Sequence, residues 1–381
     1  IGLTFGAGAG SYISRLLGAK NNKEANIVAT VSLFSSAIMA IIIAIVLFYS
    51  LDSVMKFMGA TPVIMELAKT YTSLFIIGGV LGAVNVTLGN LAVSQGAAKI
   101  SLKAMIVGSI SNIILDPILI FKLNLGVKGA AIATLIARAI TSLMYFVYFI
   151  GDKNLIKIKI PNFKPTLAIY KEILKIGISL LILQILQTIA ISKISYAASF
   201  YGEEAIAAMG IVLRIVTLGT NVVAGYMKGL QPIAGFNYGA KNYERVQEAI
   251  KASIKWTTLF CIVWTAIIYL CAPSILSIFG KDKDVLRIAI PALRAGVIMF
   301  ITFGFQFTYA TLYLAIGKAL AGAFLNSLRQ GIVFIPVILL LPKMIGLDGV
   351  IYAQAISDAL TTIITIPFAI SVHKQLQLKN A

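Results

Sequence analysis

Residues 27–49 read Ile-Val-Ala-Thr-Val-Ser-Leu-Phe-Ser-Ser-Ala-Ile-Met-Ala-Ile-Ile-Ile-Ala-Ile-Val-Leu-Phe-Tyr, a run without a single charged side chain. About 20 consecutive apolar residues carry a helix across the roughly 30 Å hydrocarbon core of a bilayer. In that medium each backbone N–H and C=O must be satisfied within the segment, so an isolated run of this length is a helix.

Similar uncharged or nearly uncharged runs recur at 70–98, 104–121, 129–150, 168–200, 205–227, 256–280, 295–317, 319–342 and 349–371. A partial one at 1–17 brings the expected number to eleven. None alternates with the period of two that a membrane barrel strand needs. The fold class expected is therefore all-α, a polytopic membrane protein. Composition agrees: 59% of the 381 residues are hydrophobic and only 12% are charged, against roughly 25% charged in soluble domains. A soluble or disordered chain is excluded.

The net charge of +18 is explained by membrane topology. Eighteen of the 32 basic residues fall in alternate loops and tails, among them Lys20, Lys23, Lys153, Lys157, Lys159, Lys164, Lys241 and Lys251. The opposite loops hold eight, including Lys56, Lys122, Lys281 and Lys343, offset by acids such as Glu203 and Asp282. The Lys-rich side is read as cytoplasmic, which puts the C-terminus inside. With the charge spread over short loops, no basic domain for nucleic acid exists. His373, the single histidine, reads as a solvated residue of the charged tail. Cys261 and Cys271 share one apolar stretch, so a disulfide framework or cysteine metal site is not expected. No G-x-x-x-x-G-K-[ST] phosphate loop and no nucleophile paired with a base occurs, so neither ATP-driven pumping nor an enzyme is read here.

The chain repeats itself. Gly18-Ala19-Lys20-Asn21 returns as Gly239-Ala240-Lys241-Asn242, an offset of 221, and Gly96 before Lys99 returns as Gly317 before Lys318. Gly126-x-x-Gly129-x-x-x-Ala133-x-x-Ile136-x-Arg138-Ala139 matches Gly346-x-x-Gly349-x-x-x-Ala353-x-x-Ile356-x-Asp358-Ala359 at 220. Two related halves of like orientation are a common transporter design. The expected domains are an N-terminal lobe 1–150, a basic cytoplasmic linker 151–167 and a C-terminal lobe 168–381. Carried back from position 168, the offset falls roughly 50 residues before Ile1. The expectation is two six-helix lobes related by a pseudo-two-fold, shown without the first helix.

Several motifs then suggest a family. Gly6-Ala7-Gly8-Ala9-Gly10-Ser11-Tyr12-Ile13-Ser14-Arg15-Leu16-Leu17-Gly18-Ala19-Lys20 resembles the second helix and following loop of the multidrug and toxic compound extrusion (MATE) family. So do Gln231-Pro232-Ile233-Ala234-Gly235-Phe236-Asn237-Tyr238-Gly239-Ala240-Lys241 for its eighth helix, Asn112-Ile113-Ile114-Leu115-Asp116-Pro117 for its fifth and Arg329-Gln330-Gly331 for its eleventh. The likeness is to the bacterial MepA-like branch and covers the chain from the second helix onward. It implies a multi-pass protein of the bacterial cell (inner) membrane, monomeric, with two lobes that open alternately to export organic cations or other xenobiotics against H+ or Na+, and with no further cofactor.

Ionisable groups at membrane depth are functional candidates by default. The acids there are Asp116 and Asp358. Asn112 and Asp116, four apart, share a helical face, and Pro117 frees a backbone carbonyl beside the carboxylate. Oxygens converging in a dry cavity suit either a titrating acid or a Na+ site; a local cap near the helix end is the plainer reading. The resemblance implies that Asp116 and Asn112 bind the coupling cation, joined by Thr134 and by Asn85 or Asn90; no other metal site is expected. In the second half a polar network is expected from Asp358, Arg329, Arg138 and Gln306. Asp358 holds the repeat position of Arg138, and Arg329 on the neighbouring helix is the other candidate partner. Lys193, Arg214, Lys228 and Arg294 either snorkel to an interface or crowd the cavity. Tyr226, Met227, Phe303, Phe305 and Tyr309 either line a greasy cavity or face lipid, and Gly6 to Gly10 and Gly78 to Gly82 permit close helix contact.

The function read from this is a secondary-active multidrug exporter. The alternative is a lipid-linked oligosaccharide or peptidoglycan-precursor flippase, whose relatives favour a basic cavity and have more helices.

Overall fold

A computed structural model describes residues 1–57, 62–151, 154–280 and 282–380. Asp152 and Lys153 of the basic linker, and Lys281 of the opposite loops, lie outside the described residues. The chain divides into two compact units, Ile1–Gly177 and Ile178–Ala381. The boundary lies further along than the end of the basic linker, within a single long helix.

The first unit is built from α1 (Gly2–Gly18), α2 (Asn22–Tyr49), short α3 (Leu51–Phe57), α4 (Pro62–Ser94), α5 (Ala98–Pro117), α6 (Gly126–Ile150) and the start of α7 (Leu167–Ser199). The second continues α7 and adds α8 (Glu203–Gly239), α9 (Tyr243–Leu270), short α10 (Ala272–Ser277), α11 (Lys283–Ile298), α12 (Phe303–Ala315), α13 (Ala319–Ser327), α14 (Phe334–Ile345) and α15 (Leu347–Asn380). Among the described residues ten helical spans are long and apolar enough to cross a membrane. The 17-residue α1 is the eleventh apolar segment. Three of the ten are not continuous α-helices: the span Ala98–Lys122 ends in a π turn at Ile118–Lys122. Met299–Thr302 is a 3-10 turn inside the span that joins α11 to α12, and Leu328–Ile332 is a π turn inside the span that joins α13 to α14.

Each span turns an apolar face outward. Along α2, Ile41, Ile42, Ile45, Val46 and Phe48 are all exposed, a contiguous apolar surface that a soluble monomer does not carry and lipid covers. By contrast α1 buries fourteen of its seventeen residues. Its small residues make this possible: a Cβ on Gly6 would come within 2.8 Å of the Thr87 backbone on α4, and one on Gly8 would collide with the Ile173 carbonyl on α7. The Gly78 to Gly82 stretch serves otherwise. Gly78 and Gly82 leave room for a side chain, the guanidinium of Arg138.

The repeat is written into the backbone. Lys20 and Lys241 both sit at φ 59°, Gly96 and Gly317 at 89° and 83°, and Gly126 and Gly346 at 51° and 64°. In the first two pairs the helix closes by the same two bonds. Lys20 N–H reaches Leu17 O at 3.1 Å and Asn21 N–H reaches Leu16 O at 2.8 Å; Lys241 N–H reaches Tyr238 O at 3.1 Å and Asn242 N–H reaches Asn237 O at 2.9 Å. This closure requires a left-handed residue, normally glycine, yet both copies use lysine. Asn21 and Asn242 then cap α2 and α9, accepting from Glu24 and Arg245 N–H at 3.3 and 3.2 Å. The two short helices, which the sequence reading did not anticipate, obey the offset as well: α3 begins at Leu51 and α10 at Ala272.

Candidate functional site

In the first unit the predicted cation-binding residues are only partly brought together. Asn112 donates its amide to Asp116 Oδ1 at 3.3 Å, along one face of α5 as the spacing predicts. Immediately beyond Pro117 the backbone widens into a π turn, Ile118–Lys122, where Leu123 N–H reaches back to Ile118 O at 2.9 Å. Asn85 is engaged elsewhere: it donates to Arg138 O at 2.8 Å and accepts from Ser142 Oγ at 2.7 Å, clamping α4 to α6. Asn90 donates to Val86 O and Thr134 to Ala130 O, each within its own helix. Among the described residues no hydrogen bond joins Asn85, Asn90 or Thr134 to Asp116. Arg138 stacks on the ring of Phe75, its Cζ 4.9 Å from the centroid, and no carboxylate of the described residues lies within 4.0 Å of it.

The second unit contains a cavity of about 270 Å3. It is framed by α7, α8, α11, α12, the α13–α14 span and α15, with Gln184, Asn221, Phe307, Asn326, Gln330 and Gln354 among its walls. Of the five greasy candidates named from sequence, only Phe303 lines it. Met209, Phe307 and Phe334 line it as well. Tyr309 instead packs inward and its hydroxyl bonds His373 Nε2 at 2.9 Å, so His373 is a partly buried member of the helix packing rather than a solvated tail residue.

Among the described residues, one charged residue, Arg329, lines the cavity. Behind it sits Asp358, only 1% exposed. Arg329 Nε donates to Asp358 Oδ1 at 2.8 Å and Nη2 to Oδ2 at 3.2 Å, a two-pronged pairing that gives geometry as well as energy. Gln354, one turn before Asp358 on α15, adds a third donor to Oδ1 at 2.8 Å. The guanidinium face lies on Phe303, with Cζ 4.4 Å from the ring centroid. Gln306 holds the backbone of the same turn, its amide nitrogen lying 2.8 Å from Asp358 O and Thr362 Oγ1 and 3.1 Å from Thr302 Oγ1, contacts its two N–H groups share. Its Oε1 is buried without a hydrogen-bond partner. Ser357 Oγ donates to Arg329 O at 3.2 Å, which secures the π turn that carries the arginine.

Asp358 is therefore held by Arg329 of the neighbouring helix, one of the two partners the sequence left open. The remaining cations of the second unit stay out of the cavity. Arg214 and Lys228 are exposed on α8, Lys193 lies over Tyr196 with Nζ 5.6 Å from its centroid, and Arg294 lies over Tyr269 and donates to its carbonyl at 3.2 Å. The role of Gln354 as Asp358's third donor is visible only in the structure, although its i, i+4 spacing carries the signal.

Comparison with known proteins fits this arrangement. The MatE family model matches residues 1–118 and 176–340. The sequence is 29% identical over 380 residues to a multidrug export protein MepA of Staphylococcus haemolyticus, covering 100% of this chain and 84% of that one. It is 30% identical over 360 residues to a MepA of Staphylococcus aureus (strain MW2), covering 94% and 79%. Among solved structures, an outward-facing multidrug resistance MATE transporter of the MOP superfamily superposes with a TM-score of 0.93 at 27% identity, covering 99% of this chain and 85% of that one. A MOP superfamily transporter from Pyrococcus furiosus, described as having a binding pocket of reverse polarity, superposes with 0.92 at 26% identity, covering 100% and 85%. With the helical architecture, the repeated turns and these matches in agreement, the chain belongs to the MATE family of multi-pass membrane transporters.

Proposed function

We propose that the chain is a secondary-active multidrug exporter that drives organic cations or other xenobiotics out of the cell by alternating access, in exchange for H+ or Na+. The observation that carries this reading is the cavity of the second unit. It offers aromatic faces and amides without any fixed array of charges, the kind of lining that selects by shape and polarity rather than by a single group. The carboxylate of Asp116 supplies the coupling site. It is half-buried, holds one amide bond from Asn112, and precedes Pro117, which leaves a carbonyl of the helix ladder without its N–H donor. Asn85, Asn90 and Thr134 belong to the surrounding shell, and the coupling ion is the only cofactor.

In this reading the protein works as a monomer in the bacterial inner membrane, with its C-terminus and Lys-rich loops in the cytoplasm. The names of its relatives, multidrug export proteins, support it. A flippase for lipid-linked precursors calls for a basic cavity, whereas the one cation lining this cavity is neutralised by Asp358.

The test is dye accumulation in inverted vesicles with an imposed pH or Na+ gradient. Accumulation driven by one of the two gradients supports the exporter and names the ion. No gradient-dependent accumulation of any dye, with the protein present in the membrane, overturns it.

A further inference from the structure

The segment that follows α6 has two faces, and the first unit uses only one of them. Residues 154–167 read Asn-Leu-Ile-Lys-Ile-Lys-Ile-Pro-Asn-Phe-Lys-Pro-Thr-Leu, with three lysines and no acid. From Asn154 to Lys159 burial alternates. Asn154 and Ile156 are buried and Ile158 is half-buried, the two isoleucines in the core of the first unit, while Leu155, Lys157 and Lys159 are exposed. The inward side is tied down. Ile156 N–H donates to Gln95 Oε1 at 3.0 Å and Lys157 N–H to Asn26 Oδ1 at 2.8 Å. A 3-10 turn, Ile160–Asn162, follows, and beyond it Phe163 meets Phe34 of α2 edge to face, with ring centroids 5.5 Å apart.

These ties set the depth of the segment. Helix α2 is uncharged from Ala25 to Tyr49, and Asn26 to Phe34 covers about 12 Å along its axis. The polar layer outside the hydrocarbon core is only about 5–8 Å thick on each side, so the segment runs as a strap beside the part of α2 that enters the membrane. Its outward face is mixed. Leu155, Ile160 and Leu167 are 58%, 77% and 85% exposed, with Lys157, Lys159 and Lys164 exposed between them. Membrane topology accounts for lysines on this side of the protein, but not for large apolar side chains set among them. The bonds to Gln95 and Asn26 keep Leu155 from turning inward. Apolar anchors interleaved with cations are the composition of a segment that lies in an anionic membrane surface.

We propose that residues 155–167 form an interfacial strap that binds the acidic phospholipids of the adjoining leaflet. Leu155, Ile160 and Leu167 enter among the acyl chains, and Lys157, Lys159 and Lys164 meet the headgroup phosphates. A bilayer of net neutral headgroups leaves those three charges without a counter-charge. That this leaflet is the cytoplasmic one rests on the orientation proposed above; the preference for acidic lipid does not.

The test places a nitrobenzoxadiazole fluorophore at Ile160→Cys in the full chain, with Cys261→Ala and Cys271→Ser, in nanodiscs whose two leaflets are alike, so the protein's orientation does not enter. Phosphatidylglycerol added to a phosphatidylcholine bilayer is expected to raise quenching of the label by a headgroup nitroxide lipid at least about twofold, since each lysine beside an anionic surface contributes about a fivefold preference. The rise is expected to vanish at high salt and in the triple variant Lys157→Gln, Lys159→Gln, Lys164→Gln. Equal quenching in the two bilayers, a label open to a water-borne quencher in both, or a rise that survives the triple variant overturns the proposal. Should the labelled chain fail to fold, mass spectrometry of phosphatidylglycerol retained by the unlabelled chain through detergent washing decides instead: more lipid than on the triple variant is expected, and equal amounts overturn the proposal. Dye accumulation is a separate readout, so the exporter reading can fail while the strap holds, and the reverse.

Discussion

At one position of the repeat, 220 residues apart, the first unit places Arg138 and the second Asp358, and the surroundings treat these two charges in opposite ways. Arg138 is half-buried, rests on Phe75 in the space left by Gly78 and Gly82, and meets no carboxylate among the described residues. Asp358 is sealed in and fully paired. The nearby acid of the first unit, Asp116, holds a single neutral amide bond at 3.3 Å. One scaffold thus serves two electrostatic regimes: spare valence at Arg138 and Asp116 in the first unit, and mutual cancellation at Arg329 and Asp358 in the second. A group with spare valence can exchange a small ion, whereas each member of a cancelled pair is held by the other.

The contrast breaks most readily at Asp116. Asp116→Asn is expected to abolish gradient-driven efflux while changing thermal stability by less than about 0.5 kcal/mol, because a half-exposed acid with one bond contributes little to the fold. Wild-type efflux in that variant sinks the assignment of coupling to the first unit. The reverse pattern is expected at the paired site. Arg329→Leu alone strands a buried carboxylate and is expected to cost about 3–5 kcal/mol, read as a lower unfolding midpoint in detergent. The double variant Arg329→Met with Asp358→Leu should recover most of that loss; if each single change costs as little as Asp116→Asn, the two regimes are not distinct.

Smaller changes test whether the repeat is energetic as well as geometric. Asn21→Ala and Asn242→Ala each remove a helix cap and are expected to cost about 1 kcal/mol, equal in the two units to within a few tenths. Lys20→Gly and Lys241→Gly relieve a left-handed lysine at φ 59° and are expected to stabilise by up to about 1 kcal/mol each. A thermal series on the four variants checks both statements. A marked inequality between partners would show that neighbours, rather than the shared turn, set the cost.

Several elements were legible because their signals are local. The spans are runs of apolar side chains, and the Gly18 and Gly239 turns are four-residue strings that fix both a helix end and the next helix's cap. The pairing of Asn112 with Asp116 follows from spacing on one helix. The five-residue cation set did not assemble as expected: Asn90 and Thr134 bond their own helices, and Asn85 clamps Arg138 and Ser142. An amide or hydroxyl in a membrane helix takes the nearest carbonyl available, and spacing alone cannot tell which carbonyl that will be. The same limit applied to His373, whose partner Tyr309 lies 64 positions away.

By itself, then, the sequence determined the medium, the helical class and the number of apolar segments, which follow from hydrophobicity and backbone chemistry over a few dozen residues, and the two-fold repetition, which follows from short motifs that recur 220–221 residues apart. Only the tertiary structure decided which charge meets which. Arg329 and Asp358 are 29 residues apart on different helices, and Arg329 is carried by the π turn Leu328–Ile332, closed by Val333 N–H reaching back to Leu328 O at 3.0 Å. Apolar periodicity carries no trace of such a turn, so the sign and availability of charge in the cavity were set by packing alone.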